Sequence, residues 1–218
     1  METVVYRRLV GEIVRLELAP EAPLRLAEVA ERLDVSATPV RQAIAHLKRD
    51  GLVVGSPRRE MRVAPLTFAE LEEIQAIRIG VESTLARYGA AQCDEQALAT
   101  IEERFESTVD WYNRRDADEH LRAQWSLRDV CYGCADRPRL LSVVARERLR
   151  AERYLHYLSR ADIDAFAESL TFQQALVLAC RENDGDFAEQ STRDLFIWSL
   201  RGLREINQSG GLQPGAFV

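Results

Sequence analysis

Between Ser36 and Arg62 the chain carries Ser36, Thr38, Arg41, Gln42, Lys48, Arg49, Arg58, Arg59 and Arg62. These residue types share one chemistry, the recognition of a nucleic acid. An arginine can pair bidentately with a guanine edge and a glutamine with an adenine edge. The remaining hydroxyls and cations suit phosphate oxygens, and a basic hairpin can probe a minor groove. Spacing supports the division of labour. Thr38, Arg41, Gln42 and Ala45 fall on one face of a helix, and Val40, Ile44 and Leu47 fall on the other.

A second chemistry lies further along. Gln124 and Arg128 are four residues apart and therefore share a helix face. A guanidinium there can grip a carboxylate or phosphate through two parallel hydrogen bonds. Arg78 is a second candidate of the same kind. Each arginine also reads as half of a structural ion pair or, for Arg128, as a surface residue. Cys131 and Cys134 form a C-x2-C, but they lie inside a helical pattern with no second pair. That placement reads as small buried hydrophobes rather than a zinc knuckle or a redox turn. A redox sensor built on Cys131 and Cys134 stays open as an alternative. Trp111, Trp125 and Trp198 read as core or dimer-face aromatics. No G-x-S-x-G, Walker, dinucleotide-binding or H-E-x-x-H pattern occurs, so the chain is not expected to be an enzyme.

The elements that must position these groups can be read from periodicity. Leu9, Ile13 and Leu16 predict a helix over about 3–17, broken by the APEAP stretch from Ala19 to Pro23. A second helix covers about 25–33. Asp34–Ser36 is a turn, and Thr38-Pro39 opens a third helix that Gly51 ends. Leu52–Val54 and Met61–Val63 predict the two strands of a wing. Thr67 to Glu70 has the form of a capping box and announces a long helix. From there six helical segments follow, at about 68–90, 95–114, 117–134, 138–158, 161–182 and 186–207. The expected fold is mainly α: a winged helix-turn-helix over residues 1–66, then an all-α six-helix bundle over 67–210. Residues 211–218 are expected to be a flexible tail.

Charge fits this division. The chain of 218 residues has a net charge of −6, which argues against a general polyanion binder. Residues 1–66 hold 11 Lys and Arg against 9 Asp and Glu, a net of +2, so the remainder carries −8. A mildly basic reader beside an acidic body places its contacts one by one. No apolar run approaches the ~18–20 residues of a membrane span. The N-terminus lacks the apolar core of a signal peptide. Four cysteines do not make a disulfide framework, and a cytoplasmic location is expected.

The segment RLAEVAERLDVSATPVRQAIAHLKRDGLV resembles the winged-helix domain of GntR-family regulators. Val35-Ser36, Thr38-Pro39-Val40-Arg41, Leu47 and Gly51-Leu52 fall in register with that family's pattern. Arg41 and Arg59 match its DNA-contacting positions. Ala37 stands where the family has its first recognition arginine, and Glu60 where it has a wing glycine. The rest resembles the effector domain (FCD) of the FadR-like subgroup. Arg78 and Glu82 match its opening helix, Pro138 and Leu140 a helix-end pattern, and Ala179 and Ala188 a later segment. Six helices rather than seven resemble the vanillate-regulator branch. The resemblance implies a homodimer on a double-stranded, palindromic DNA operator, acting as a repressor under a small-molecule effector. An effector-free architectural DNA-binding protein is the other alternative.

Many such domains hold a metal with an Asp and a His four residues apart plus two further His. The matching positions here are Gln124, Arg128, Gln173 and Leu195, and His46, His120 and His156 fall at none of them. No metal and no other cofactor is therefore expected. The expected effector is a small organic acid, bound by Arg78, Gln124, Arg128 and Gln173.

Overall fold

The computed structural model describes residues 2–56, 60–161 and 163–208. Arg58, Arg59 and the 211–218 tail lie outside them. Among the described residues there are nine α-helices, one 3-10 helix and two short strands.

The first part is built on α1 (Glu2–Val14), α2 (Leu26–Arg32) and α3 (Ala37–Arg49), followed by β1 (Val53–Val54) and β2 (Arg62–Val63). Leu9, Ile13, Val40, Ala43, Leu47 and Leu52 are completely or almost completely buried in one core. The turn between α2 and α3 puts Asp34 at φ 52°, and Gly51 ends α3 at φ 77°. The strands pair antiparallel, Val53 with Val63 and Val54 with Arg62. The wing has a further edge that periodicity does not reveal. Pro23 bridges to Arg62, and the amides of Glu21 and Leu24 donate to the carbonyls of Val63 and Met61. The segment read as a plain breaker thus anchors the wing to the helices.

The second part consists of α4 (Phe68–Ala91), α5 (Glu95–Asn113), α6 (Ala117–Cys134), α7 (Pro138–Ala161), α8 (Ser169–Arg181) and α9 (Gly185–Gln208). Helix α4 is central, lying against α6, α7, α8 and α9. Its inward positions Leu71, Ile74, Arg78, Glu82, Leu85 and Gly89 recur every three or four residues. Thr67, Asp94 and Asp116 cap α4, α5 and α6 by accepting the amides of Glu70, Ala97 and Glu119. The reciprocal half of the Thr67 box is absent. Tyr154 of α7 takes that place: its hydroxyl accepts from the Thr67 amide and donates to Glu70.

Two boundaries differ from the sequence reading: α1 ends at Val14 rather than about 17, with Leu16 at φ 58°, and the α7–α8 junction is longer than expected. Helix α7 runs to Ala161, a 3-10 turn covers Ile163–Phe166, and α8 starts only at Ser169. Ser169 donates to the Phe166 carbonyl, a tight local bond that competes with continuing the helix.

Helix α7 also joins the two parts. Leu149 packs on the core of the first part, and the Arg150 guanidinium lies over Gly51. Arg153, completely buried, donates to the Ala64 carbonyl. No described helix is long and apolar enough to cross a membrane.

Candidate DNA interface and candidate anion site

Helix α3 turns Val40, Ala43, Ile44 and Leu47 inward, which leaves Ser36, Thr38, Arg41, Gln42, Ala45, Lys48 and Arg49 exposed on its outer side. Between this side and the wing runs a groove of about 440 Å3, bordered by Arg25, Arg41, Ala45, Lys48, Glu60 and Met61. The Lys48 ammonium donates to the Gly55 carbonyl, bracing the wing against α3. Arg62 is less free than its position suggests. It pairs with Glu60 and donates to the Glu21 carbonyl, while Arg25 pairs with the other oxygen of Glu60. The carboxylate at the family's wing-glycine position therefore ties up two cations beside the groove.

The second site lies inside the helical bundle. Arg78, Gln124, Arg128, Ser169, Phe196 and Ser199 line a small cavity of about 20 Å3, also bordered by Leu195 and Trp198. That space holds about one water-sized group or the head of an anion. Arg78 is buried, and its Nε donates to Glu82 Oε1 at 2.6 Å. Tyr132 donates to the other Glu82 oxygen at 3.1 Å. Arg148 forms a bidentate pair with Asp129.

Arg128 is different. It is 3% exposed, it has no carboxylate partner, and its Nε and Nη1 make no hydrogen bond among the described residues. Burial, reinforced by Arg78 and Arg148, pulls its pKa down to about 10, which leaves it a cation at neutral pH. The Trp125 ring is its main compensation. The guanidinium carbons of Arg128, Arg148 and Arg78 stand 4.4, 4.4 and 4.7 Å from that ring's centroid. Cation–π contacts of this kind contribute ~0.5–2 kcal/mol each, well short of a desolvated guanidinium's lost hydration.

Gln124 and Gln173 meet between α6 and α8. Gln173 Nε2 donates to Gln124 Oε1 at 3.3 Å, and Gln124 Nε2 donates to Ser169 Oγ at 3.1 Å. The sequence reading missed His120, one turn before Gln124 on the same face. Its Nδ1 donates to the Thr108 carbonyl at 3.0 Å, so its Nε2 is the acceptor facing Gln124 at 2.7 Å. Burial holds its pKa below the ordinary imidazole range, in keeping with that neutral tautomer. Ser169 on α8 and Phe196 and Ser199 on α9 were also missed, because no local pattern links them to α6, while Trp125 was read only as a core or dimer-face aromatic.

These residues do not fit a metal ion. Arg128 repels one, Leu195 has no donor atom, and both His120 nitrogens are engaged. Among the described residues no group of three or more His, Cys, Asp or Glu is arranged to hold one.

Comparison with known proteins bears on both sites. The model of bacterial regulatory proteins of the gntR family matches residues 2–63, and that of the FCD domain matches residues 73–196. The HTH-type transcriptional repressor RspR of Escherichia coli K12 is 24% identical over 204 residues, covering 94% of this chain and 89% of that protein. The HTH-type transcriptional regulator McbR of the same organism is 26% identical over 144 residues, covering 66% of this chain and 65% of McbR. The solved structure of E. coli McbR/YncC superposes with a TM-score of 0.83 at 22% identity, covering 94% of this chain and 98% of that one. A putative GntR regulator from Rhodococcus sp. RHA1 gives 0.78 at 20% identity, covering 94% and 97%. At these identities the two superpositions establish the fold.

Proposed function

Because the chain belongs to the FCD-domain family and carries the helix-turn-helix domain of the gntR family, we propose that it is a DNA-binding transcriptional regulator controlled by a small organic anion. The observation that carries the anion is Arg128, a buried guanidinium with two unpartnered nitrogens and no carboxylate partner among the described residues. A ligand carboxylate would accept from one of these nitrogens, and Gln124, Ser169 and Ser199 supply further polar contacts at the cavity wall. Phe166, Phe196, Trp198 and Leu155 favour an apolar body behind the anionic head. The cavity must widen to admit it, so binding and a shift of the helices are one event.

Ser36, Thr38, Arg41 and Gln42 read the major groove, Lys48 and Arg49 hold phosphates, and Arg62 joins them from the wing. Arg58 and Arg59 extend that wing contact. Two copies related by a twofold axis read a palindrome, so the acting species is a cytoplasmic homodimer. The repressor naming of RspR supports repression, and the six helices α4–α9 support the vanillate-regulator branch.

The test uses DNA from upstream of the protein's own gene and a panel of short mono- and dicarboxylates, read by fluorescence anisotropy. At least one carboxylate should weaken DNA binding by roughly 5–150-fold, the range of ~1–3 kcal/mol of coupling. Arg128→Gln should keep unliganded DNA binding and lose that response. Arg41→Ala should lose ~1–3 kcal/mol of operator affinity. Light scattering should give a dimer. DNA affinity indifferent to every carboxylate would sink the anion reading, and an unchanged affinity in Arg41→Ala would sink the interface. DNA binding without any ligand response is the behaviour of an architectural protein.

A further inference from the structure

The four cysteines of this chain, at positions 93, 131, 134 and 180, come from two helices and one loop. The fold brings them to one place. The sulfurs of Cys131 on α6 and Cys180 on α8 lie 3.5 Å apart in an S–H···S contact, and both residues are completely or almost completely buried. Cys93, just beyond the end of α4, interacts with both Cys180 and Cys134. Cys93 and Cys134 are half-buried and form the outer rim. Asn183 braces the junction by donating to the Ala90 and Cys93 carbonyls at 3.0 and 2.9 Å.

The pairing differs from the one that C-x2-C spacing suggests. Cys134 is turned along its own helix, 3.3 Å from the Val130 carbonyl. Cys131 faces away from it, toward Cys180. The cluster is also unlike a zinc knuckle, since these thiols have no metal-holding arrangement.

We propose that Cys131 and Cys180 are an oxidation site, at which a small hydroperoxide joins α6 to α8 through a disulfide. A hydroperoxide is the suitable oxidant because it is small and neutral. Both thiols are almost completely buried, so the oxidant has to enter when the half-buried rim opens, a route that excludes a bulky disulfide reagent. The Cys180 sulfur is the attacking group: hydrogen bonding with Cys131 holds its pKa below the ordinary thiol range, whereas burial raises those of Cys93 and Cys134.

In the first step the Cys180 thiolate attacks one peroxide oxygen. An S–O bond forms, the O–O bond breaks, and the leaving oxygen departs as water or alcohol. In the second, the Cys131 sulfur attacks the sulfenic sulfur. An S–S bond forms, the S–O bond breaks, and the oxygen leaves as water. The two thiol protons end on the two departing oxygens. Each sulfur gives up one electron, and the peroxide takes both.

The link has a mechanical setting. Gln124 and Gln173 precede Cys131 and Cys180 by the same number of residues, seven, and are themselves hydrogen-bonded across α6 and α8. Closing the sulfurs from 3.5 Å to a bond of about 2.05 Å therefore staples the helix pair that floors the anion cavity, two turns away. The site stands whether or not that cavity takes an anion, because its readout is covalent.

The test exposes the reduced full-length protein to hydrogen peroxide, traps free thiols by alkylation in denaturant, and maps peptides by mass. The expected product is a peptide pair linking Cys131 to Cys180, two hydrogens lighter than the separate thiols. Cys93 and Cys134 should remain alkylated, and dithiothreitol should reverse the link. Cys131→Ser and Cys180→Ser should each abolish it. Four alkylated cysteines after exposure would overturn the proposal. So would a link confined to Cys93 and Cys134, or sulfinic acid without any link. The wild-type measurement decides even if a serine variant fails to fold.

Discussion

Glu60 shows how one substitution against a family pattern can be read from its neighbours. A glycine at this position would leave Arg25 held only by Glu28 and Arg62 only by the Glu21 carbonyl, and so easier to turn toward phosphates, but the carboxylate engages both. Glu60→Gln should therefore tighten DNA binding at low salt and steepen its salt dependence, by about 0.9 in the log–log slope for each additional phosphate neutralised. Anisotropy titrations at several salt concentrations measure this, and an unchanged slope would show that Glu60 does not restrain the wing. Legibility at this scale follows spacing. Gln124 and Arg128 can be found because a four-residue interval forces them onto one face, and Glu60 because a motif reaches it. His120 obeys the same interval from Gln124, yet its residue type suggests a metal ligand, and it serves as a hydrogen-bond acceptor instead. Nothing in the sequence marks Ser199 or Phe196, which reach the cavity from a helix about seventy residues away.

Among the elements, α4 carries the tightest packing constraint. At Gly89 the helix comes so close to α6 that a Cβ would overlap the Cys131 carbonyl oxygen, which cannot rotate away. Gly80, on the same helix, has nothing within 4 Å of the same added atom. The two glycines should thus respond with opposite signs. Gly80→Ala should stabilise by up to ~1 kcal/mol through helix propensity, and Gly89→Ala should destabilise by ~1–3 kcal/mol through overpacking. Thermal and urea denaturation of the pair decide it, and equal effects would refute the close approach. Helix ends are largely legible, since Asp94 and Asp116 cap by side chain and Asp136 and Asn183 adopt positive φ at the breaks. The start of α8 is not. The stretch ADIDAFAESL has no glycine or proline, and nothing in it shows that Ser169 will bond back to Phe166.

At the scale of the whole molecule, α7 faces two ways. On one side Arg148 stacks on Trp125 beside Arg128, and Leu155 borders the cavity. On the other, Leu149, Arg150 and Arg153 hold the winged part at its core, at Gly51 and at Ala64. Separating the parts would break the Arg153–Ala64 hydrogen bond and expose the apolar contact of Leu149, so the two parts should not melt independently. Calorimetry of the full chain should give one transition, and Arg153→Ala should split or broaden it. Two separated transitions in the wild type would show that the seam is not cohesive.

That seam also bears on how such proteins diversify. A DNA-reading module joined by a linker can be exchanged like a cassette, with each half keeping its own history. Here the glycine that ends α3 has an arginine of the other half lying over it. On the function proposed above, new operator specificity is therefore more readily reached by changing residues on the outer side of α3 than by replacing the module. A graft that did succeed would have to bring positions 51 and 64 into agreement with positions 149, 150 and 153 of the recipient.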